Sequence, residues 1–134
     1  MSAENVAVIK GLYAAFSAGD VPAVLGSMSP NIIWNEAENF PYADNNPYSG
    51  PEAIATGVFA RCVGEWDGFA VAMGDLIDGG DRVIALGRYS GSFKETGSQM
   101  NPQAVHVWTL KGGKIVAFQQ YIDTLDVARA TGAV

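Results

Sequence analysis

Apolar positions in residues 4–18 recur at steps of three and four: Val6, Ile9, Tyr13 and Phe16, with Leu12 beside them. That spacing draws one stripe along a helix. Gly19 suits the position just past its end, and Asp20 suits the N-cap of a shorter second helix over 21–28, with Pro22 in its first turn. Val21, Val24, Leu25 and Met28 form its inward side, and Pro30 closes the helical block. Residues 31–36 (NIIWNE) read as a strand with Ile32, Trp34 and Glu36 on one face. A long loop, 37–50, follows. Residues 51–63 predict a third helix, with Pro51 near its start and Ile54, Val58 and Cys62 one turn apart.

From Phe69 the period changes to two. Phe69, Val71, Met73 and Asp75 alternate with the residues between them, and Asp78-Gly79-Gly80-Asp81 signals a hairpin turn. Val83, Ala85, Gly87, Tyr89, Gly91 and Phe93 make the next strand, 94–102 a loop and 103–110 another strand. Lys111-Gly112-Gly113-Lys114 is a second hairpin turn, 115–123 a last strand, and 124–134 a short helix or loose tail. The order α-α-β-α-β-β-β-β predicts an α+β fold: three helices against one strongly curved, mostly antiparallel sheet. A sheet so curved and roofed makes a cone-shaped barrel whose open end is a pocket. Gly74, Gly87 and Gly91 fall inside strands, where bulges would bend it.

The 134 residues match one domain, and 49% apolar against 16% charged residues argues against disorder. Eight basic residues against fourteen acidic give a net charge of −6 with no basic tract. Nucleic acids and anionic membranes are therefore poor partners. The single cysteine and single histidine exclude a disulfide framework and a multi-histidine or multi-cysteine metal centre. No run approaches the ~18 apolar residues of a membrane span, and the N-terminus lacks the pattern of a signal peptide. The expectation is a soluble cytoplasmic protein without metal or cofactor.

His106, in QAVHVWTL, is the natural general acid or base near neutral pH, or else a core histidine satisfied by a neighbour. Its surroundings depend on the hairpin. A three-residue Lys111-Gly112-Gly113 loop puts His106 opposite Phe118 and gathers His106, Trp108, Val116, Phe118 and Gln120 on one face. A two-residue Gly-Gly loop puts it opposite Gln119, on a face with Tyr121 and Asp123. The first register is favoured, because an apolar face broken by two polar groups is what a ligand pocket needs. Among the carboxylates, Glu36 shares its strand face with Trp34. It either meets the indole in a dry cavity, with its pKa raised, or ends the strand in water. Asp123 is either a second base or a cap for the tail. The aromatic residues Trp34, Phe59, Tyr89, Trp108 and Phe118 would line the cavity. Tyr42 and Tyr48, in the polar loop, would form a lid with their hydroxyls toward a ligand. Cys62, on an apolar helix face, reads as a buried thiol.

The run HVWTLKGGKIVAFQQYIDT (106–124), Phe-Ser-Ala-Gly-Asp (16–20), Ile-Ile-Trp (32–34) and Tyr-Ser-Gly-Pro-Glu-Ala-Ile (48–54) resemble the SnoaL-like proteins of the nuclear-transport-factor-2-like superfamily. The resemblance spans nearly the whole chain. It implies the cone-shaped α+β barrel, a homodimer formed through the sheet, and a family that includes polyketide cyclases, ketosteroid isomerase, limonene epoxide hydrolase, dehydratases and non-enzymatic binders. In the cyclases an aspartate on the last strand moves the proton with a histidine nearby. The histidine position matches His106, whereas the aspartate position falls on Gln120, which cannot act as a base. The carboxylate, tyrosine and protonated acid of ketosteroid isomerase and the Asp-Arg-Asp set of the epoxide hydrolase do not map. The expected function is proton transfer on a small apolar or aromatic molecule (isomerase, cyclase or hydrolase). His106 would move the proton, Glu36 would orient it or serve as second base, and Gln120 would hold an oxygen. The rival is a small-ligand binder or a dimeric interaction module.

Overall fold

The computed structural model describes residues 2–134. Helices α1 (Ser2–Ser17) and α2 (Val21–Gly26) lead into strand β1 (Met28–Asn35). Asp20 caps α2 by accepting from the Ala23 N–H at 3.2 Å. Gly19, at φ 73°, reverses the chain where α1 ends, and the Asp20 N–H closes the turn on Ala15 O at 2.8 Å. A 3-10 turn (Pro41–Asn45) and the short strand β2 (Tyr48–Ser49) occupy the stretch expected as loop. The third helix is α3 (Pro51–Ile54), a π-helical turn (Ala55–Phe59) and α4 (Ala60–Glu65) in continuous succession. Strands β3 (Trp66–Gly79), β4 (Arg82–Phe93), β5 (Gln99–Met100), β6 (Gln103–Lys111) and β7 (Lys114–Ile122) follow, and helix α5 (Thr124–Thr131) ends the chain.

The sheet runs β2-β1-β7-β6-β4-β3, with β5 paired to β4. Every pair is antiparallel except β1 with β7. The fold is thus α+β with a curved, mostly antiparallel sheet, and the sheet stays open, with β2 and β3 as its edges. Its inner face buries Ile32 and Trp34 of β1, Val83, Ala85 and Tyr89 of β4, His106 and Trp108 of β6, and Phe118 and Gln120 of β7. Ile9 and Leu12 of α1, Val24 of α2 and Val58 and Cys62 of the third helix complete the core. No described helix is long and apolar enough to cross a membrane.

Bulges set the curvature. In β3 the register shifts between Met73 and Asp75, so Gly74 is the extra residue opposite the Leu86–Gly87 step. There the strands approach so closely that a Cβ on Gly87 would lie 2.7 Å from Met73 Cα and closer still to the Ala72 carbonyl. Both contacts are backbone and cannot move aside alone. Gly87→Ala is expected to destabilise the fold by at least the ~1–3 kcal/mol of an overpacked core, read as a fall in the urea midpoint. An unchanged midpoint would mean the bend is not fixed there.

Candidate active site

The last hairpin keeps neither register considered for it along its whole length: His106 pairs with Gln120, not with Phe118 or Gln119. Its turn is the two-residue one, Lys111 pairing with Lys114 and Leu110 with Ile115. Val116 then bulges, and from Thr109–Ala117 onward the pairing is displaced by one, so that His106 lies opposite Gln120 and Trp108 opposite Phe118. The bulge restores the face carrying His106, Trp108, Phe118 and Gln120, with Ile115 in place of Val116 as the buried residue near the turn.

Both nitrogens of His106 are occupied. Nδ1 lies 2.6 Å from the Tyr13 hydroxyl and Nε2 2.6 Å from the Tyr89 hydroxyl. The Trp108 indole N–H donates to the Tyr13 oxygen at 2.9 Å, and Gln120 Nε2 donates to the Tyr89 oxygen at 2.9 Å. Gln120 Oε1 accepts the Ala37 backbone N–H at 3.0 Å, which fixes the orientation of the amide. The ring is buried at 4% exposure, edge-on to Trp108 and Phe118. Burial without a charged partner presses its pKa down to about 3, so the imidazole is neutral at physiological pH.

Glu36 follows β1 directly and shares the inward face of Trp34, which stacks on Phe118 with ring centroids 3.8 Å apart. Asn46 clamps its backbone: the Glu36 N–H donates to Asn46 Oδ1 at 3.0 Å, and Asn46 Nδ2 donates to the Glu36 carbonyl at 2.8 Å. The carboxyl takes one protein hydrogen bond, from the Trp34 indole N–H to Oε2 at 3.2 Å. At 3% exposure, its desolvation outweighs that bond and the attraction of Arg61 and pushes its pKa up to about 8. Removing the indole donor with Trp34→Phe takes away an interaction that favours the carboxylate. The Glu36 pKa is therefore expected to rise further, which a carboxyl ¹³C titration would register; a fall would show that the indole does not hold the anion.

The two arrays share one cavity. Glu36, His106, Tyr13 and Tyr89 line it together with Trp34, Phe59, Trp108 and Phe118, and Cys62 closes one side with a thiol whose pKa burial pushes up. Its volume is about 40 Å³. That admits a few waters and falls short of the ~150 Å³ of a cavity that takes benzene. Phe16, Phe59 and Phe69, partly exposed and set edge-to-face, also line it.

Four residues named from the sequence lie elsewhere. The Tyr48 ring covers Gly57, and its hydroxyl donates to the Tyr42 carbonyl and accepts from Arg61 Nη2 at 2.8 Å. The Tyr42 hydroxyl donates to Glu65 Oε1 at 2.6 Å and accepts from the Trp66 indole at 3.0 Å. Neither tyrosine forms a lid, because partners 13–24 residues further along the chain take their hydroxyls. Tyr121 stands on the outer face, 56% exposed, and Asp123 caps α5 through the Asp126 N–H at 3.4 Å. Gln120 faces inward but gives its amide to Tyr89 and Ala37. Spacing alone marks Tyr13 only as a residue of the α1 stripe and gives Asn46 no role. Tyr13 shares the buried side of α1 with Ile9 and Leu12, and a hydroxyl at such a position needs a polar partner across the core.

The model of the SnoaL-like domain matches residues 9–118. The chain belongs to the SnoaL-like domain family. This SnoaL-like domain is similar to an NTF2-like protein from Burkholderia thailandensis E264, at 38% identity over 95% of this chain and 96% of that one, with a TM-score of 0.91. It is similar to TerC co-crystallised with polyporic acid, at 25% identity over 96% and 98% of the two chains, TM-score 0.85. It also shares its fold with a candidate SnoaL-like polyketide cyclase from Jannaschia sp. CCS1, at 19% identity over 99% and 94%, TM-score 0.80. No curated protein matches the chain.

Proposed function

We propose that this SnoaL-like domain catalyses proton transfer on a compact apolar carbonyl compound, with Glu36 carrying the proton between two carbons and the Tyr13–His106–Tyr89 array holding the oxygen. The observation that carries the reading is a carboxyl buried in the same apolar cavity as hydrogen-bonded tyrosine hydroxyls, where desolvation pushes its pKa up to about 8. A general acid–base works best with a pKa near the working pH. Glu36 meets that condition; His106, near 3, does not, and its part is to orient the tyrosines. When Glu36 takes a proton from the carbon beside a carbonyl, charge builds on the oxygen. A tyrosine O–H in a dry site stabilises that charge and needs no solvent rearrangement. Returning the proton to a different carbon completes an isomerisation. A ring-sized substrate enters by displacing Phe16, Phe59 and Phe69. The co-crystallisation of the similar TerC with polyporic acid supports a small-molecule ligand for this domain.

The direct test is the conversion of 3-cyclohexen-1-one to its conjugated isomer, followed by ultraviolet absorbance. Turnover above the buffer rate, with deuterium from D₂O appearing in the product, is expected. A rate equal to buffer, with binding detected, would favour the alternative of a non-catalytic binder, to which the small volume of the cavity lends support. The homodimer belongs to the same reading: the outer sheet face exposes Ile33, Leu86 and Tyr121, which a second copy would cover.

A further inference from the structure

The array around His106 contains more protons than it can use. Tyr13 and Tyr89 each bring one hydroxyl proton, and a neutral imidazole brings one N–H. Between the three rings there are two hydrogen bonds, at Nδ1 and at Nε2. Each tyrosine oxygen already accepts from a group that only donates there, the Trp108 indole N–H on one side and the Gln120 amide on the other. Neither hydroxyl has a further acceptor among its hydrogen bonds. A neutral imidazole donates through one nitrogen and accepts through the other. One tyrosine therefore donates to His106, and the other accepts from it and keeps a spare proton.

The identity of the spare proton follows the tautomer. With the proton on Nδ1, Tyr13 accepts from both Trp108 and His106, Tyr89 donates to Nε2, and the Tyr13 proton is spare. With the proton on Nε2, Tyr89 accepts from both Gln120 and His106, Tyr13 donates to Nδ1, and the Tyr89 proton is spare. The supports are matched, a donor-only group behind each tyrosine at 2.9 Å, so the heavy-atom frame accommodates either state. Both hydroxyl-bearing rings line the cavity. A buried donor without a partner is destabilising, and a ligand oxygen would supply the missing acceptor.

We infer that His106 is a two-position selector that leaves one tyrosine donor, from Tyr13 or from Tyr89, for the cavity, so that the site takes ligands ending in a single acceptor oxygen and such a ligand fixes the tautomer. His106 is a positioning residue in this account, since it acts through the tyrosines. The inference rests on the reading of the cavity as a ligand site and goes beyond it by defining the polar end that the cavity accepts. A ketone, an aldehyde or an enolate oxygen fits; a ligand presenting only a donor there would face an O–H proton and be rejected.

The chain has one histidine, so ¹⁵N-histidine labelling gives a single imidazole to read by NMR. At pH 7, Tyr13→Phe leaves Nδ1 without a hydroxyl and is expected to hold the proton on Nε2, where Tyr89 accepts it. Tyr89→Phe is expected to hold it on Nδ1. Opposite tautomers in the two variants support the selector; the same tautomer in both, or a cationic ring, overturns it. In the wild type, cyclohexanone is expected to bind at least tenfold more tightly than methylenecyclohexane, which has the same shape without the oxygen, and to draw the ring to one tautomer. Equal affinities, no binding of either, or an unmoved ring would overturn the ligand rule. None of these readouts needs turnover, so a catalytically inert protein with opposite tautomers would sink the proposed reaction and leave the selector standing.

Discussion

Glu36→Gln is expected to lower the rate of proton transfer ~10²–10⁴-fold, the usual contribution of a positioned acid–base group. The amide keeps the shape of the carboxyl and can still meet the Trp34 indole through its oxygen, while the Asn46 clamp acts on the backbone and is untouched. The cavity should therefore keep its form and its ligand affinity. The effect should fall on kcat, with KM changing little, because the lost interaction belongs to the transition state. Ligand binding at wild-type strength with wild-type turnover would remove Glu36 from the chemistry. A parallel loss of binding and fold would instead show that the carboxyl is structural.

The second large effect is on stability as a function of pH, where Glu36 and His106 act in opposite directions. Unfolded, Glu36 titrates near 4.5; folded, near 8. Between those values the folded state holds a proton that the unfolded state has released, so stability falls as pH rises, by up to ~1.4 kcal/mol per pH unit. This contribution is fully present below 4.5 and gone above 8. His106 titrates near 6.5 unfolded and near 3 folded. There the unfolded state holds the extra proton, so stability is present above 6.5 and lost as pH falls through 3. Between 4.5 and 6.5 the two proton counts cancel, and this pair predicts a plateau. Urea unfolding from pH 3 to 9 measures it. Relative to wild type, Glu36→Gln should gain stability steadily from pH 4.5 to 8, and His106→Asn should gain from pH 6.5 downward. A Glu36→Gln difference independent of pH would mean that its carboxyl reaches water.

Much of this was readable from spacing alone. The α1 stripe, the Gly19 and Asp20 signals and both Gly-Gly hairpins depend on local backbone and burial chemistry. The sharing of one strand face by Trp34 and Glu36 placed the carboxyl against the indole as one of two alternatives. What escaped the sequence depends on contacts between distant segments. The bulge at Val116 leaves no trace, since valine suits an ordinary strand position as well as an extra one. The loop tyrosines Tyr42 and Tyr48 read as a lid over a ligand because they sit in a polar loop. Their burial needs Arg61, Glu65 and Trp66 to arrive from the third helix and β3. Tyr13 looked like one more apolar residue, because its hydroxyl has meaning only once β6 brings His106 and Trp108 across from α1, 93 and 95 residues away.

Everything catalytic in this account turns on the protonation of one carboxyl. The chain has six glutamates, and ¹³C labelling of their side-chain carboxyls followed by NMR from pH 3 to 10 resolves them. One signal should titrate near pH 8, move no further above it, and vanish in Glu36→Gln. Six signals that all titrate in the ordinary carboxylate range would contradict the claim that Glu36 is held in a dry cavity as the proton carrier.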